Sequence, residues 1–327
     1  MKIHLSSGIR VFTVLALVTL IPSCGGGGGD GGAPPPPPPP PWTAQTSGTT
    51  NILDHLSFVS ATTGWAVGDS GTILATTNGG TNWTAQTSGT INTLFDVGFV
   101  NTANGWAVGD SGTILATTNG GTNWTAQTSG TTNTLWSISF VGATTGWAVG
   151  DTGTILATTN GGTNWTAQTS GTTNHLYGVS FVSATTGWAV GDTGTILATT
   201  NGGTNWTAQT SGTASPLWGV SFVNATTGWA VGNSGTILAT INGGATWTFQ
   251  TSGTLNILIG VRFVNATTGW AVGDVGTILG TTNGGVTWTV QTSGTVVQLN
   301  HVSFVSGTTG WVVGWAGTIL KTETGGF

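Results

Sequence analysis

From Trp42 to the C-terminus the apolar and polar positions follow one pattern, seven times over, at a period of 41 residues with no insertion or deletion between copies. Within each copy the apolar residues alternate with polar ones in short runs, and no window repeats at the helical period, so strands are the expected elements. In the first full copy the runs predict strands over Leu53 to Val59, Trp65 to Gly68, Thr72 to Thr77 and Asn82 to Thr87. Gly68-Asp69-Ser70-Gly71 has tight-hairpin chemistry between the second and third, as does Asn78-Gly79-Gly80 between the third and fourth. Four short strands in about 40 residues is the layout of a propeller blade.

A lone four-stranded blade has two apolar faces that it cannot bury, so blades must stack, and a ring hides the face that a linear stack leaves bare. The expected fold is all-β, a seven-bladed propeller of four-stranded antiparallel blades. The chain ends point to the manner of closure. The last copy stops at Thr324-Gly325-Gly326-Phe327 without its WTAQTSG strand, whereas the domain begins with an orphan copy of that strand, Trp42 to Gly48. The N-terminal strand is therefore expected to complete the last blade and remove two exposed sheet edges. The blades fall at about 49–89, 90–130, 131–171, 172–212, 213–253, 254–294, and 295–327 joined by 42–48.

An address precedes the propeller domain at 42–327. Residues 1–24 have a short basic start (Lys2, Arg10), an apolar run from Val11 to Ile21, and then Ile21-Pro22-Ser23-Cys24. This is the layout of a secretory signal, too short for a transmembrane helix. It resembles a bacterial lipoprotein signal, which implies lipidation at Cys24, export, and a membrane contact by lipid anchor only; ordinary signal cleavage is the alternative. Cys24 is the single cysteine, so no disulfide competes for it. Residues 25–41 are glycine-rich and then run through eight prolines, a flexible linker followed by a stiff spacer. At about 3.1 Å per residue the prolines span on the order of 25 Å.

Charge narrows the function classes. The formal net charge of −5 becomes about −7 once Lys2 and Arg10 are removed, leaving Arg262 and Lys321 as the basic side chains. No basic footprint exists for nucleic acid.

The segment Thr76-Thr77-Asn78-Gly79-Gly80-Thr81-Asn82-Trp83 resembles the Asp-box, the bacterial neuraminidase repeat, and Thr281-Thr282-Asn283-Gly284-Gly285-Val286-Thr287-Trp288 matches it better. The longer string GWAVGDSGTILATTNGGTNW is similar to the repeats of the photosystem II assembly and stability factors, a resemblance that covers about 285 of the 327 residues. It implies a seven-bladed propeller that acts as a scaffold through a contact patch. In that family the patch is rich in arginine, and this chain offers only Arg262 near the corresponding strand start. The Asp-boxes themselves are read as structural turns, whose polar side chain satisfies turn amides while the Trp packs between blades. A sialidase of this fold needs an arginine triad, a tyrosine nucleophile with a glutamate partner, and an aspartate acid/base. Arg262, Tyr177 and Glu323 are the single arginine, tyrosine and glutamate of the mature chain and belong to different blades, which excludes that mechanism.

The copies differ chiefly around a fixed leucine (Leu53, Leu94, Leu135, Leu176, Leu217, Leu258, Leu299) at the entry to each first strand. The next residue runs Asp54, Phe95, Trp136, Tyr177, Trp218, Ile259, Asn300, and the one after it His55, Asp96, Ser137, Gly178, Gly219, Gly260, His301. Four consecutive blades thus place an aromatic at one equivalent position, flanked across the closure by Asn300-His301 and Asp54-His55. These connections lie opposite the Asp-box turns, at the mouth of the central channel where propellers bind ligands. Two readings stay open: Phe95, Trp136, Tyr177 and Trp218 form a binding arc for a partner peptide or a sugar, or strand alternation turns Trp218 with Val220 and Phe222 into the blade interface as core.

Two groups of residues invite metal chemistry. Asp69, Asp110, Asp151, Asp192 and Asp274 occur once per blade and read as turn residues. Asp54, His55, Asp96 and His301 come from adjoining blades and carry metal-ligating atoms, but read first as solvated polar residues at the mouth. No catalytic residue, metal or cofactor is assigned. The expected function is a non-catalytic binding or assembly scaffold for a protein partner at the cell envelope. Carbohydrate recognition is the alternative, and a glycoside hydrolase or lyase comes third for want of two placed carboxylates.

Overall fold

A computed structural model describes residues 41–327. The signal segment 1–24, with Cys24, and the linker up to residue 40 lie outside the described residues. The period predicts four strands per copy, and the structure has them: in blade I, Leu53–Phe58, Gly64–Gly68, Thr72–Thr76 and Thr84–Gln86. Seven such antiparallel sheets form, each in the order inner, second, third and outer strand. The inner strands touch one another in sequence round the ring, and that of blade VII (Leu299–Phe304) returns to that of blade I.

Closure uses the N-terminal strand. Thr43–Gln45 pairs antiparallel with the third strand of blade VII, Thr43 opposite Lys321 and Gln45 opposite Ile319. Trp42 is buried, meets Phe304 edge-on at 5.9 Å, and donates its indole N–H to Gln291 Oε1 of blade VI at 2.9 Å. The last blade is thereby completed as the orphan strand predicts.

Each blade interface holds one hydrophobic cluster. Between blades VII and I, Trp311, Val313 and Ile319 meet Leu53, Leu56 and Phe58. A stacked pair runs through every interface: Trp311 lies flat on Phe58 at 3.6 Å, and Trp65 of blade I on Phe99 of blade II at 3.5 Å. Gly64 makes room for this pair, because a Cβ there would collide with the Phe58 ring. The indole N–H of Trp65 then donates to the Gly120 carbonyl in the Asp-box turn of blade II, at 3.0 Å.

The Asp-box turns work as the sequence implies. Thr76 Oγ1 accepts the Gly80 amide at 2.9 Å and Asn78 Oδ1 accepts the Asn82 amide at 2.9 Å. Gln86 ties the outer strand of blade I to the Asp-box of blade II, donating to Gly120 O at 3.1 Å and accepting from Trp124 Nε1 at 3.1 Å. At the other end of the blade the Asp69-Ser70-Gly71 hairpin places Ser70 at φ 55° and Gly71 at φ 68°, the left-handed region in which glycine is free of the Cβ penalty.

Candidate functional site

The residue after the fixed leucine is special in the backbone before it is special in the side chain. In all seven blades the pairing of inner and second strands skips one residue there: Leu135 opposes Gly150 and Ser137 opposes Val149, leaving Trp136 unpaired. A β-bulge of this kind re-aims its extra side chain and breaks the alternation. Trp218 therefore does not follow Val220 and Phe222 into the blade interface. Phe95, Trp136, Tyr177 and Trp218 are half-buried and belong to none of the seven hydrophobic clusters.

The four rings form a continuous arc across blades II to V. Phe95 and Trp136 lie 4.3 Å apart, Trp136 and Tyr177 5.7 Å, and Tyr177 and Trp218 4.3 Å. Each polar atom of the arc is held by the hairpin of its own blade. Trp136 Nε1 donates to Asp151 Oδ1 at 2.6 Å, the Tyr177 hydroxyl to Asp192 Oδ1 at 3.0 Å, and Trp218 Nε1 to Asn233 Oδ1 at 2.7 Å. Burial first, then the bond to Asp192, raises the Tyr177 pKa, so the phenol stays protonated as the donor. His175 Nδ1 also reaches Asp151 Oδ1, at 2.8 Å.

These hairpin residues, read from the sequence as turn formers, are thus also supports of the arc. Their signal was a constant spacing of 15 residues between aromatic and acceptor. His175 had no signal of its own, because the other copies place different residues there.

Across the closure the second group assembles. The His55 and His301 rings stack with centroids 3.4 Å apart and planes at 27°. His55 Nδ1 lies 2.9 Å from Asp96 Oδ1, and Asp96 Oδ2 accepts from Ser137 Oγ at 2.8 Å and the Ile138 amide at 2.9 Å. Asn300 Nδ2 donates to the Leu53 carbonyl at 3.0 Å and reaches Asp54 Oδ1 at 3.4 Å. Asp54 Oδ2 and His301 Nδ1 are buried without a partner. Burial, then the charges of Asp69 and Asp110, push the Asp54 pKa up to about 8. Burial, then His55 and Arg262, hold the His301 pKa well below 6.5. Asp96 and Asn300 are buried and Asp54, His55 and His301 half-buried, so the group is packed among the inner strands of blades VII, I and II and is only partly solvated. Among the described residues no three His, Cys, Asp or Glu side chains converge on a metal-sized site.

Arg262 is placed differently from the expectation. It is the fifth residue of the six-residue inner strand Leu258–Phe263, opposite Trp270, and so stands near the strand's end and not its start. Its side chain keeps contact with water, yet the protein around it desolvates the guanidinium and lowers its pKa. At the equivalent position in blade V, Ser221 Oγ accepts the Phe263 amide of the next blade at 3.2 Å.

Arg262, Tyr177 and Glu323 remain dispersed. Tyr177 is in the arc of blade IV, Arg262 in the inner strand of blade VI, and Glu323 beside Lys321 in the last Asp-box hairpin.

The model of the Photosynthesis system II assembly factor YCF48 family matches residues 85–170, 165–249 and 250–327. The chain belongs to this family. No curated protein sequence matches it. Among solved structures it is similar to YCF48 bound to D1 peptide, with a TM-score of 0.74 and 22% identity over 87% of this chain and 95% of that one. YCF48 from Cyanidioschyzon merolae superposes with a TM-score of 0.73 and 22% identity over 86% and 98% of the two chains. The GH74 xyloglucanase from Xanthomonas campestris shares the fold at a TM-score of 0.70 but only 11% identity, over 87% of this chain and 53% of the enzyme. At these identities the structural likeness speaks for the fold alone.

Proposed function

We propose that the protein is a non-catalytic binding and assembly scaffold that holds a segment of a partner protein at the mouth of its ring. The observation that carries this reading is the aromatic arc: four rings that the repeat could have kept small or polar are instead held at unpaired bulge positions, outside the core. Their polar atoms are already bonded to hairpin acceptors, so little side-chain freedom remains to be lost on binding. A relative that binds a D1 peptide supports a protein ligand for this family. The dispersal of Tyr177, Arg262 and Glu323 argues against sialidase-type chemistry.

On the same reading the chain is exported and tethered to the cell envelope through a lipid on Cys24, with the glycine and proline run as spacer. Metabolic labelling with a fatty acid, on the parent and on Cys24→Ser, tests the tether; equal labelling of both overturns it. Affinity capture from the detergent-solubilised envelope of the host, with the parent beside a Trp136→Ala, Trp218→Ala double variant, tests the scaffold. Protein partners lost in the variant support it. Retention of polysaccharide with no protein partner would put carbohydrate recognition in its place.

A further inference from the structure

The arc sits in an uncompensated field of negative charge. Five of the seven hairpins at this end carry a carboxylate, Asp69, Asp110, Asp151, Asp192 and Asp274, and all five are half-buried. Where these carboxylates bond, they use Oδ1: Thr93 donates to Asp69 at 3.2 Å and Thr134 to Asp110 at 3.4 Å, beside the ties of Trp136 and Tyr177 already described. The second oxygen of each of these four makes no hydrogen bond among the described residues. Of the basic side chains, Lys321 is bound to Glu323 at 2.6 Å in the opposite, Asp-box face, and Arg262 stands near the far end of its inner strand. Among the described basic side chains only His175 touches a hairpin carboxylate.

Electron-rich ring faces beside free carboxylate oxygens favour one kind of ligand, a cation with an apolar stem. The indole N–H of Trp136 donates to a carboxylate, which adds negative charge to the ring system a cation would approach. We propose that the segment recognised at the mouth is basic: an extended stretch of a partner protein whose Lys and Arg side chains lie on the aromatic arc within the ring of hairpin carboxylates. This rests on the scaffold reading above and adds to it the charge of the ligand.

The structure supplies a control for the test. Asn233 holds Trp218 at 2.7 Å in the way that Asp151 holds Trp136, so asparagine at this turn keeps the bond and the bulge while removing the charge. A random peptide library is selected on the full-length chain in detergent, and the selected peptides are titrated as synthetic, labelled probes against three proteins: the parent, Asp110→Asn with Asp151→Asn and Asp192→Asn, and Trp136→Ala with Trp218→Ala. The expected result is enrichment of Lys and Arg, at least about tenfold weaker binding to the triple asparagine variant, and weakening with added salt. Selected peptides that are acidic or uncharged, or that bind the triple variant as tightly as the parent, overturn the charge assignment while leaving the scaffold reading intact if they still need Trp136 and Trp218. Peptides that ignore the tryptophan variant, or no peptides at all, overturn both.

Discussion

His55 and His301, 246 residues apart in the chain, stack ring on ring at 3.4 Å where the first blade meets the last. The contact makes ring closure sensitive to acid. Burial, His55 and Arg262 keep His301 neutral, with a folded pKa below the unfolded 6.5. The unfolded chain then binds more protons as the pH falls through 6.5, so this contribution to stability is full above 6.5 and is lost progressively below it. Asp96, which pairs with His55, and Asp54 and Asn300 in the same seam are the other groups that set the effect. Melting temperature between pH 7.5 and 5 should drop more steeply for the parent than for His301→Gln; equal slopes would remove His301 as the cause.

Asp54 works in the opposite sense. Its folded pKa of about 8 lies above the unfolded 3.8, so the folded chain binds the extra proton between those values. The stability it contributes is greatest below 3.8 and is lost as the pH rises toward 8. Asp54→Asn keeps the shape without the charge. The variant should melt above the parent at pH 8.5, with the gap shrinking as the pH approaches 4. A gap independent of pH would show that the carboxyl is not perturbed by burial.

The closure strand gives a stability prediction with an internal control. Trp42 is 3% exposed, whereas its equivalent Trp83 is only half-buried and its indole lies 3.5 Å from Gln45 Oε1. Trp42→Ala should cost about 3 to 5 kcal/mol in urea unfolding, within the range for buried aromatics, and Trp83→Ala less. Deleting residues 42–48 should cost more than deleting any surface loop of equal length, because it also strips the third strand of blade VII of its partner. An unchanged melting temperature after that deletion would refute closure by the N-terminal strand.

The fold was legible because every copy repeats one solution: the stacked tryptophan and phenylalanine, the Gly64 that clears space for the ring and the Thr76 of the turn are visible as invariant letters, and Asn78 recurs in every copy but the last, where Thr324 stands. The site was only half legible. Variation marked Phe95, Trp136, Tyr177 and Trp218, but whether they face core or mouth depends on a one-residue bulge, and register is a property of two strands together. Asp151 and Asn233 were masked by their dual use: the constant 15-residue spacing to the aromatic was there to read, but a residue that suits a hairpin is already accounted for by the turn. Contact between His55 and His301 depends on closure of the whole ring. Arg262 was misplaced along its strand because its resemblance to a family patch outweighed the count of residues from Leu258.

The bulge itself separates packing from binding in the arc. Trp136 and Trp218 are half-buried and outside the hydrophobic clusters, so truncation removes ring contacts and one hydrogen bond without opening a core cavity. Trp136→Ala and Trp218→Ala should each lower unfolding free energy by about 1 to 2 kcal/mol, less than the about 3 to 5 kcal/mol of a core aromatic, while the double variant loses the bound partner. Losses in the core range, with binding retained per folded molecule, would return the arc to the packing role.

Arg262 allows the opposite kind of test, a substitution that should repair the repeat. In four other interfaces a serine hydroxyl at this position accepts the phenylalanine amide of the next blade, as Ser57 does from Phe99 at 3.1 Å and Ser139 from Phe181 at 3.1 Å. Arg262 cannot accept a hydrogen bond, and its positive charge opposes protonation of His301. Arg262→Ser should therefore restore an inter-blade bond to Phe304 and raise stability by about 0.5 to 1.5 kcal/mol. It should also let the His301 pKa rise toward 6.5 by removing a like charge, so that the acid-sensitive window narrows. A variant less stable than the parent, with an unchanged pH profile, would mean that the guanidinium makes a stabilising contact that outweighs both effects.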